Sequence, residues 1–307
     1  DLPDRTAAGQ GCRYRELNTQ GKGIQVKEST GANGQQVIKA TASKLSPIIK
    51  EPFGPDFTEL FPRVYFAPSA FKYDKSEGDM SNWQKYGEWQ YQLLDGRDLL
   101  TEPFRAKLHE LTASYTTDRD KVKAIYDYLA KTTRYVSIQL GIGGLQPIAA
   151  ADVCRTGFGD CKGLSNYTRA MLKELGIAST YTVISTTNER LLPDFSSANQ
   201  MNHVILQVPL PQDTLWLECT NPSLPFAMST KTLRTRRLTH RTDRRPDVSP
   251  AHLSHSLNTQ HIVANITLSP TAEARIEVNE ISRIFNMRMK QASSIWSLTN
   301  RKTHPFK

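Results

Sequence analysis

Apolar and polar positions alternate in two different periods along this chain. Between residues 21 and 43, "GIQVKES" and "QQVIKATA" show partial period-two alternation and flank "GANG". That period suits half-buried strands, and the Asn33-Gly34 pair suits a turn needing positive φ, so the stretch predicts a β-hairpin. "EPFGPDF" and "LFPRVYFAPSAF" follow and read as extended, aromatic chain punctuated by proline. From about residue 100 the spacing becomes helical. In "TTDRDKVKAIYDYLAKTTRY", Val122, Ile125, Tyr126 and Leu129 mark one face, and Thr117 with Asp120 forms a capping-box-like start.

A glycine-rich stretch, "GIGGLQP", leads on to "GFGDCKGLSNYTRAMLKEL". The first lacks the Lys-Ser/Thr ending of a phosphate cradle and reads as a structural turn. In the second, Leu164, Thr168, Met171, Leu172 and Leu175 lie on one side of a helix, with Gly176 where a left-handed C-cap belongs. Three β-rich runs come next: "TYTVIST", "NHVILQVPL" and "TLWLECT". The last two are separated by "PQD" and predict an antiparallel hairpin. A helix followed by a meander is an α+β arrangement, in which the helix packs on an antiparallel sheet.

The same pattern divides the chain. It predicts a partial N-terminal β-domain over 1–70, a connecting region over 71–100 and a core over 101–226. Alternation returns in "TQHIVANITLS" and "EARIEVNEIS", a second hairpin that starts a C-terminal β-domain over 257–285. Residues 227–256 and 286–307 stand apart, with almost no apolar pattern.

The totals narrow the possible partners. Among 307 residues, 38% hydrophobic and 22% charged content is ordinary for a folded protein. The net charge of +9 invites a nucleic acid or an anionic membrane as partner. However, residues 227–256 hold seven Lys/Arg against two Asp, and residues 286–307 hold five Lys/Arg and no acid. These two surpluses account for the whole excess, so no nucleic-acid partner is expected. No run of 18 apolar residues occurs, so no stable membrane insertion is expected, and "DLPDRTAAGQ" shows no charged-then-apolar leader. Cys12, Cys154, Cys161 and Cys219 are too few and too irregularly spaced for a disulfide scaffold.

Within the first 226 residues there are only two histidines. His109 lies in the polar helical stretch "RAKLHELT" and reads as a solvated surface residue. His203 opens the strand "NHVILQV", and Glu218 stands fifteen residues later near the end of the partner strand. A short turn between the strands brings His203 and Glu218 close to opposite each other, within reach of a carboxylate-imidazole hydrogen bond. Cys161, at the start of a helix packed on that sheet, completes a line of nucleophile, base and orienter.

Each residue type has a chemical reason. A free thiol is mostly protonated at neutral pH, and a nearby imidazole and a helix N-terminus both favour the reactive thiolate. Lys162 should help; Asp160 should oppose unless its carboxylate is occupied as the helix N-cap. Glu218 would hold the ring in the tautomer that accepts the thiol proton. The Cys161 backbone N–H and the Gln139 side chain are candidates to stabilise an oxyanion. Taken singly, a Cys at a helix start is usually a small buried residue, and a lone strand His is usually a satisfied structural side chain. Their conjunction with Glu218 is what favours catalysis. A zinc site of Cys154, Cys161, His203 and Cys219 is the rival arrangement. It lacks a Cys-x-x-Cys knuckle, and strand alternation turns Cys219 away from Glu218, so neither a metal nor another cofactor is expected.

"GDCKGLSNYTRAMLKELGI", "MNHVILQVPL" and "TLWLECTNP" resemble the three motifs of the transglutaminase-like superfamily, within the papain-like cysteine fold. The resemblance is to its bacterial branch with an N-terminal β-domain of unknown function and covers roughly residues 20–226, including "TRYVSIQLGIGGLQP". It implies a papain/transglutaminase-like core flanked by β-rich domains. It also implies Cys161 as nucleophile, His203 as base and Glu218 in the third position, where the superfamily usually has Asp. The implied activity is hydrolysis or transamidation of a peptide or protein amide through a thioester, in the periplasm or cell envelope of a bacterium. The alternative it implies is a non-catalytic binding or envelope scaffold.

Against that branch the two basic segments read as shifts of reading frame. Restoring one nucleotide ahead of Ala-Met-Ser-Thr-Lys-Thr-Leu at residue 227 gives Gly-Tyr-Val-His-Glu-Asp-Ile, similar to what the branch carries there. "NMRMKQA" is displaced in the same way. Both segments are expected to pack poorly, and His240, His252, His255 and His304 receive no role.

Overall fold

The computed structural model describes residues 11–49, 51–52, 54, 60–186, 191–221, 226, 260–268, 270, 274–282 and 294–298. They fall in two units, divided after residue 250.

In the first unit, strand β1 (Cys12–Leu17) pairs antiparallel with β4 (Arg63–Pro68). Strands β2 (Ile24–Thr30) and β3 (Gln36–Ala42) form a hairpin whose turn places Gly34 at φ +72°. This is backbone that glycine adopts at little cost. A short hairpin, β5 (Ala70–Tyr73) with β6 (Ser76–Asp79), precedes helix α1 (Trp83–Gln92). The pattern of residues 71–100 did not predict this helix. Asn82 caps it, its side chain accepting from Lys85 N at 2.9 Å. Its buried residues include Trp83, Tyr86, Trp89 and Gln90, and the three aromatics pack with Met80, Leu93 and Leu191 rather than forming an aliphatic stripe.

Helices α2 (Glu102–Thr112) and α3 (Asp118–Thr132) come next. Thr117 Oγ1 accepts from Asp120 N at 3.1 Å, and Val122, Ile125, Tyr126 and Leu129 are buried, as the spacing predicts. Strand β7 (Arg134–Tyr135) runs into a 3-10 turn at Gly141–Gly144, and helix α4 (Ala150–Thr156) leads to β8 (Phe158–Gly159). Helix α5 (Cys161–Glu174) then packs on the sheet of β9 (Thr180–Ile184), β10 (His203–Leu210) and β11 (Asp213–Leu217), in the order β11-β10-β9.

Alternation sorts this sheet's two faces. Leu206, Val208, Leu215 and Leu217 meet Leu164, Met171 and Leu172 of α5, while Ile184, Ile205 and Trp216 cluster on the other side. Gly176 takes φ +72° after the helix. Helix α5 differs from the one-sided stripe in being buried almost all round, its polar residues included. Asn166 Nδ2 donates to Arg97 O at 2.8 Å and Ser165 Oγ to Val204 O at 3.4 Å, which satisfies groups a hydrophobicity pattern reads as solvated. The architecture is α+β, with the cysteine-bearing helix on an antiparallel sheet.

The second unit is an antiparallel sheet of β12 (Gln260–Leu268), β13 (Ala274–Ser282) and β14 (Ser294–Leu298) in that order. The predicted second hairpin is β12–β13, with Leu268 opposite Ala274. Residues 227–256 lie outside the described residues, as do 286–293 and 299–307, and with them His240, His252, His255 and His304. Ser294–Leu298, inside the second basic segment, is a paired strand. Among the described residues no helix is long and apolar enough to cross a membrane.

Candidate active site

Backbone pairing fixes the approach to Cys161. Gly157 ends helix α4 at φ +67°, and β8 then lies parallel to β7. Arg134 N donates to Gly157 O at 3.0 Å and Val136 N to Gly159 O at 2.9 Å, leaving Asp160 at the N-cap and Cys161 as the first residue of α5. Asp160 Oδ1 accepts from Gly163 N at 2.9 Å. Its other oxygen is paired with Lys162 Nζ, and both side chains are buried. The carboxylate is thus occupied as a cap and paired with the Lys162 ammonium. Gly163 is required where it stands, because a Cβ there would come within 2.8 Å of Ile148 Cγ1.

His203 begins β10, and its Nε2 lies 2.9 Å from Glu218 Oε2. Glu218 is one residue past β11. Continuing the register Leu206↔Leu217 sets Glu218 opposite Ile205, two residues from His203 along the same face. The extra methylene of Glu over Asp covers that diagonal. The carboxylate is held on its far side as well: Oε1 accepts from Thr220 N at 3.1 Å and Thr220 Oγ1 at 2.5 Å. Tyr126 Oη of α3 donates to the Glu218 backbone carbonyl at 3.0 Å.

The Cys161 thiol is the ring's other near neighbour and acts on its charge. Because Nε2 is engaged by Glu218, Nδ1 is the nitrogen available to sulfur. Burial pulls the His203 pKa down, but the interactions with Cys161 and Glu218 and the nearby negative charge outweigh it and push the ring up to about 10. Burial pushes the Glu218 carboxyl up, yet the hydrogen bonds from His203 and Thr220 and the ring's charge hold it below its ordinary range.

Cys161 and His203 border one cavity of about 260 Å³. Gln139, Tyr86 and Gln90 of α1 and Tyr181 of β9 line the same cavity. The structure therefore brings Cys161, His203, Glu218 and Gln139 together. The other thiols are elsewhere. Cys219 packs into the core beneath α5, where burial pushes its thiol up to about 12, and Cys154 sits on α4 beside Tyr167. Among the described residues no group of three His, Cys, Asp or Glu side chains is arranged to hold a metal ion. His109 is exposed, with Nε2 3.1 Å from Glu174 Oε1.

Sequence reasoning missed Thr220, Tyr126, Tyr86, Gln90 and Tyr181. Thr220 had a usable signal, since a hydroxyl two residues after a strand-end carboxylate can bond back to it. Tyr126 read only as a core residue of its helix.

The family model of the transglutaminase-like superfamily matches residues 105–220. No curated protein matches the chain. Among solved structures, a candidate protease from Parabacteroides distasonis superposes with a TM-score of 0.57 at 10% identity, covering 90% of this chain and 64% of that one. A candidate cysteine protease from Cytophaga hutchinsonii gives a TM-score of 0.33 at 14% identity, over 70% of this chain and 68% of that one. The chain thus spans just under two thirds of the Parabacteroides protein, whose fold it shares. Residues 105–220, which include Cys161, His203 and Glu218, are a transglutaminase-like core.

Proposed function

We propose that this protein transfers acyl groups from a peptide or another amide through a thioester on Cys161, with His203 as the acid-base group and Glu218 as its orienter. The observation that carries the reading is the position of His203, bonded to a buried carboxylate and bordering the same cavity as the Cys161 thiol. An imidazole ring that keeps its proton across neutral pH leaves sulfur as the electron-rich partner. Attack on a carbonyl carbon forms the C–S bond; the leaving nitrogen takes the ring proton; water or an amine then attacks the thioester with the ring acting as base. Glu218 keeps the ring aligned and balances its charge throughout, while the Cys161 N–H would meet the oxyanion, for which Gln139 on the cavity lining is a further candidate.

Treatment with iodoacetamide followed by peptide mass mapping tests this. Cys161 should carry the adduct well before Cys12, Cys154 and Cys219, and His203→Ala should abolish that preference. Slow, equal labelling of all four thiols would sink the proposal.

A further inference from the structure

Tyr181 is 1% exposed, and its hydroxyl is buried with no hydrogen-bond partner among the described residues. A buried hydroxyl in that state is uncommon in a folded protein and costly to leave unmet. Its position gives the vacancy a meaning. Tyr181 and Val183 lie on the face of β9 that meets Leu206 and Val204 of β10, and the Tyr181 ring packs in one buried cluster with Cys161, Val204 and Leu94. Both Tyr181 and Cys161 border the 260 Å³ cavity. Tyr86, which lines the same cavity, is satisfied within the protein, since its Oη accepts from Gln90 Nε2 at 2.8 Å. Burial, and then the Cys161 sulfur and the Asp160 carboxylate, push the Tyr181 phenol well above its ordinary value, so it remains a proton-bearing donor at any working pH.

We infer that Tyr181 is a catalytic hydrogen-bond donor, its hydroxyl binding the carbonyl oxygen of the acyl group that attacks from Cys161 convert into an oxyanion. This rests on Cys161 being the nucleophile proposed above. In the step, the sulfur lone pair forms the C–S bond and the carbonyl π pair moves onto oxygen. That oxygen accepts from Tyr181 Oη and from the Cys161 N–H, one of the first-turn donors a helix leaves without an internal acceptor. When the pair returns, the bond to the leaving group breaks, and the leaving atom takes the His203 proton. Tyr181 keeps its own. A buried phenol on a strand paired with β10 gives a better-fixed donor than the exposed Gln139 side chain.

Two reagents separate this role from support of the sulfur itself. p-Nitrophenyl acetate acylates a thiol through a tetrahedral oxyanion, whereas iodoacetamide alkylates it without one. Tyr181→Phe should slow acylation of Cys161 by p-nitrophenyl acetate about a hundredfold, in the range lost with one oxyanion donor. Alkylation should stay within about twofold, because no oxyanion forms on that route. Thermal stability should be unchanged or higher, because the lost hydroxyl has no partner among the described residues. Equal rates for both reagents in the variant and the parent overturn the inference, as do equal losses with both. A clear drop in melting temperature also overturns it, since the hydroxyl would then be bonded within the fold. A parent protein whose Cys161 reacts with neither reagent defeats the nucleophile reading itself and this inference with it.

Discussion

Glu218 lies beyond the last paired position of its strand, yet its Oε2 sits 2.9 Å from Nε2 of His203. The two residues are offset by one diagonal of the sheet, so side-chain length decides whether they meet. Glu218→Asp withdraws the carboxylate by one methylene. Cys161 alkylation should slow by up to about a hundredfold, the scale of a misplacement near 1 Å. Thr220→Val removes the hydroxyl from Oε1 but leaves the Thr220 backbone donor, and should cost only about 1.5 kcal/mol of stability in urea unfolding.

The ion pair also makes stability depend on pH. His203 is raised on folding, from its ordinary 6.5 to about 10, so its contribution is complete below about pH 6.5 and is lost as pH rises through about 10. Glu218 is lowered, so its contribution is present above its ordinary 4.5 and is lost as pH falls through its lower folded value. The difference in melting temperature between the parent and His203→Ala should be greatest between about pH 4.5 and pH 6.5 and shrink toward pH 10. A difference that grew steadily with pH would contradict the raised ring.

The buried Asp160–Lys162 pair at the start of α5 should behave as a unit. Lys162→Met leaves the carboxylate buried without its cation and should cost about 3 kcal/mol or more in chemical denaturation. Adding Asp160→Ser keeps a capping oxygen for Gly163 N and removes the stranded charge, so the double variant should recover most of the loss. Strictly additive losses would show that the two groups are not coupled.

What the sequence made legible was local or nearly so. Thr117 capping Asp120, the left-handed Gly176 and the β10–β11 turn all follow from residues a few positions apart. The candidate triad was also readable, because a single strand histidine and one hairpin register limited the choices. What stayed hidden depends on contacts between distant segments. Lys162, Ser165 and Asn166 look like a solvated face of α5 until Asp160, Val204 and Arg97 are brought to them. Helix α1 escaped because its buried residues include Trp83, Tyr86, Trp89 and Gln90, and the three aromatics pack with Leu191 from a remote loop. Tyr181 reads as an ordinary strand aromatic; only the fold shows its buried hydroxyl with no partner among the described residues.

The central claim is that the His203 ring shares its protons with both the Cys161 sulfur and the Glu218 carboxylate. NMR titration of the ring proton between the two nitrogens of His203 measures this directly. In the parent protein the ring should stay charged through neutral pH and titrate near 10, and Cys161→Ala should move the midpoint down toward the ordinary 6.5. A midpoint near 6.5 in the parent, unmoved by Cys161→Ala, would contradict it.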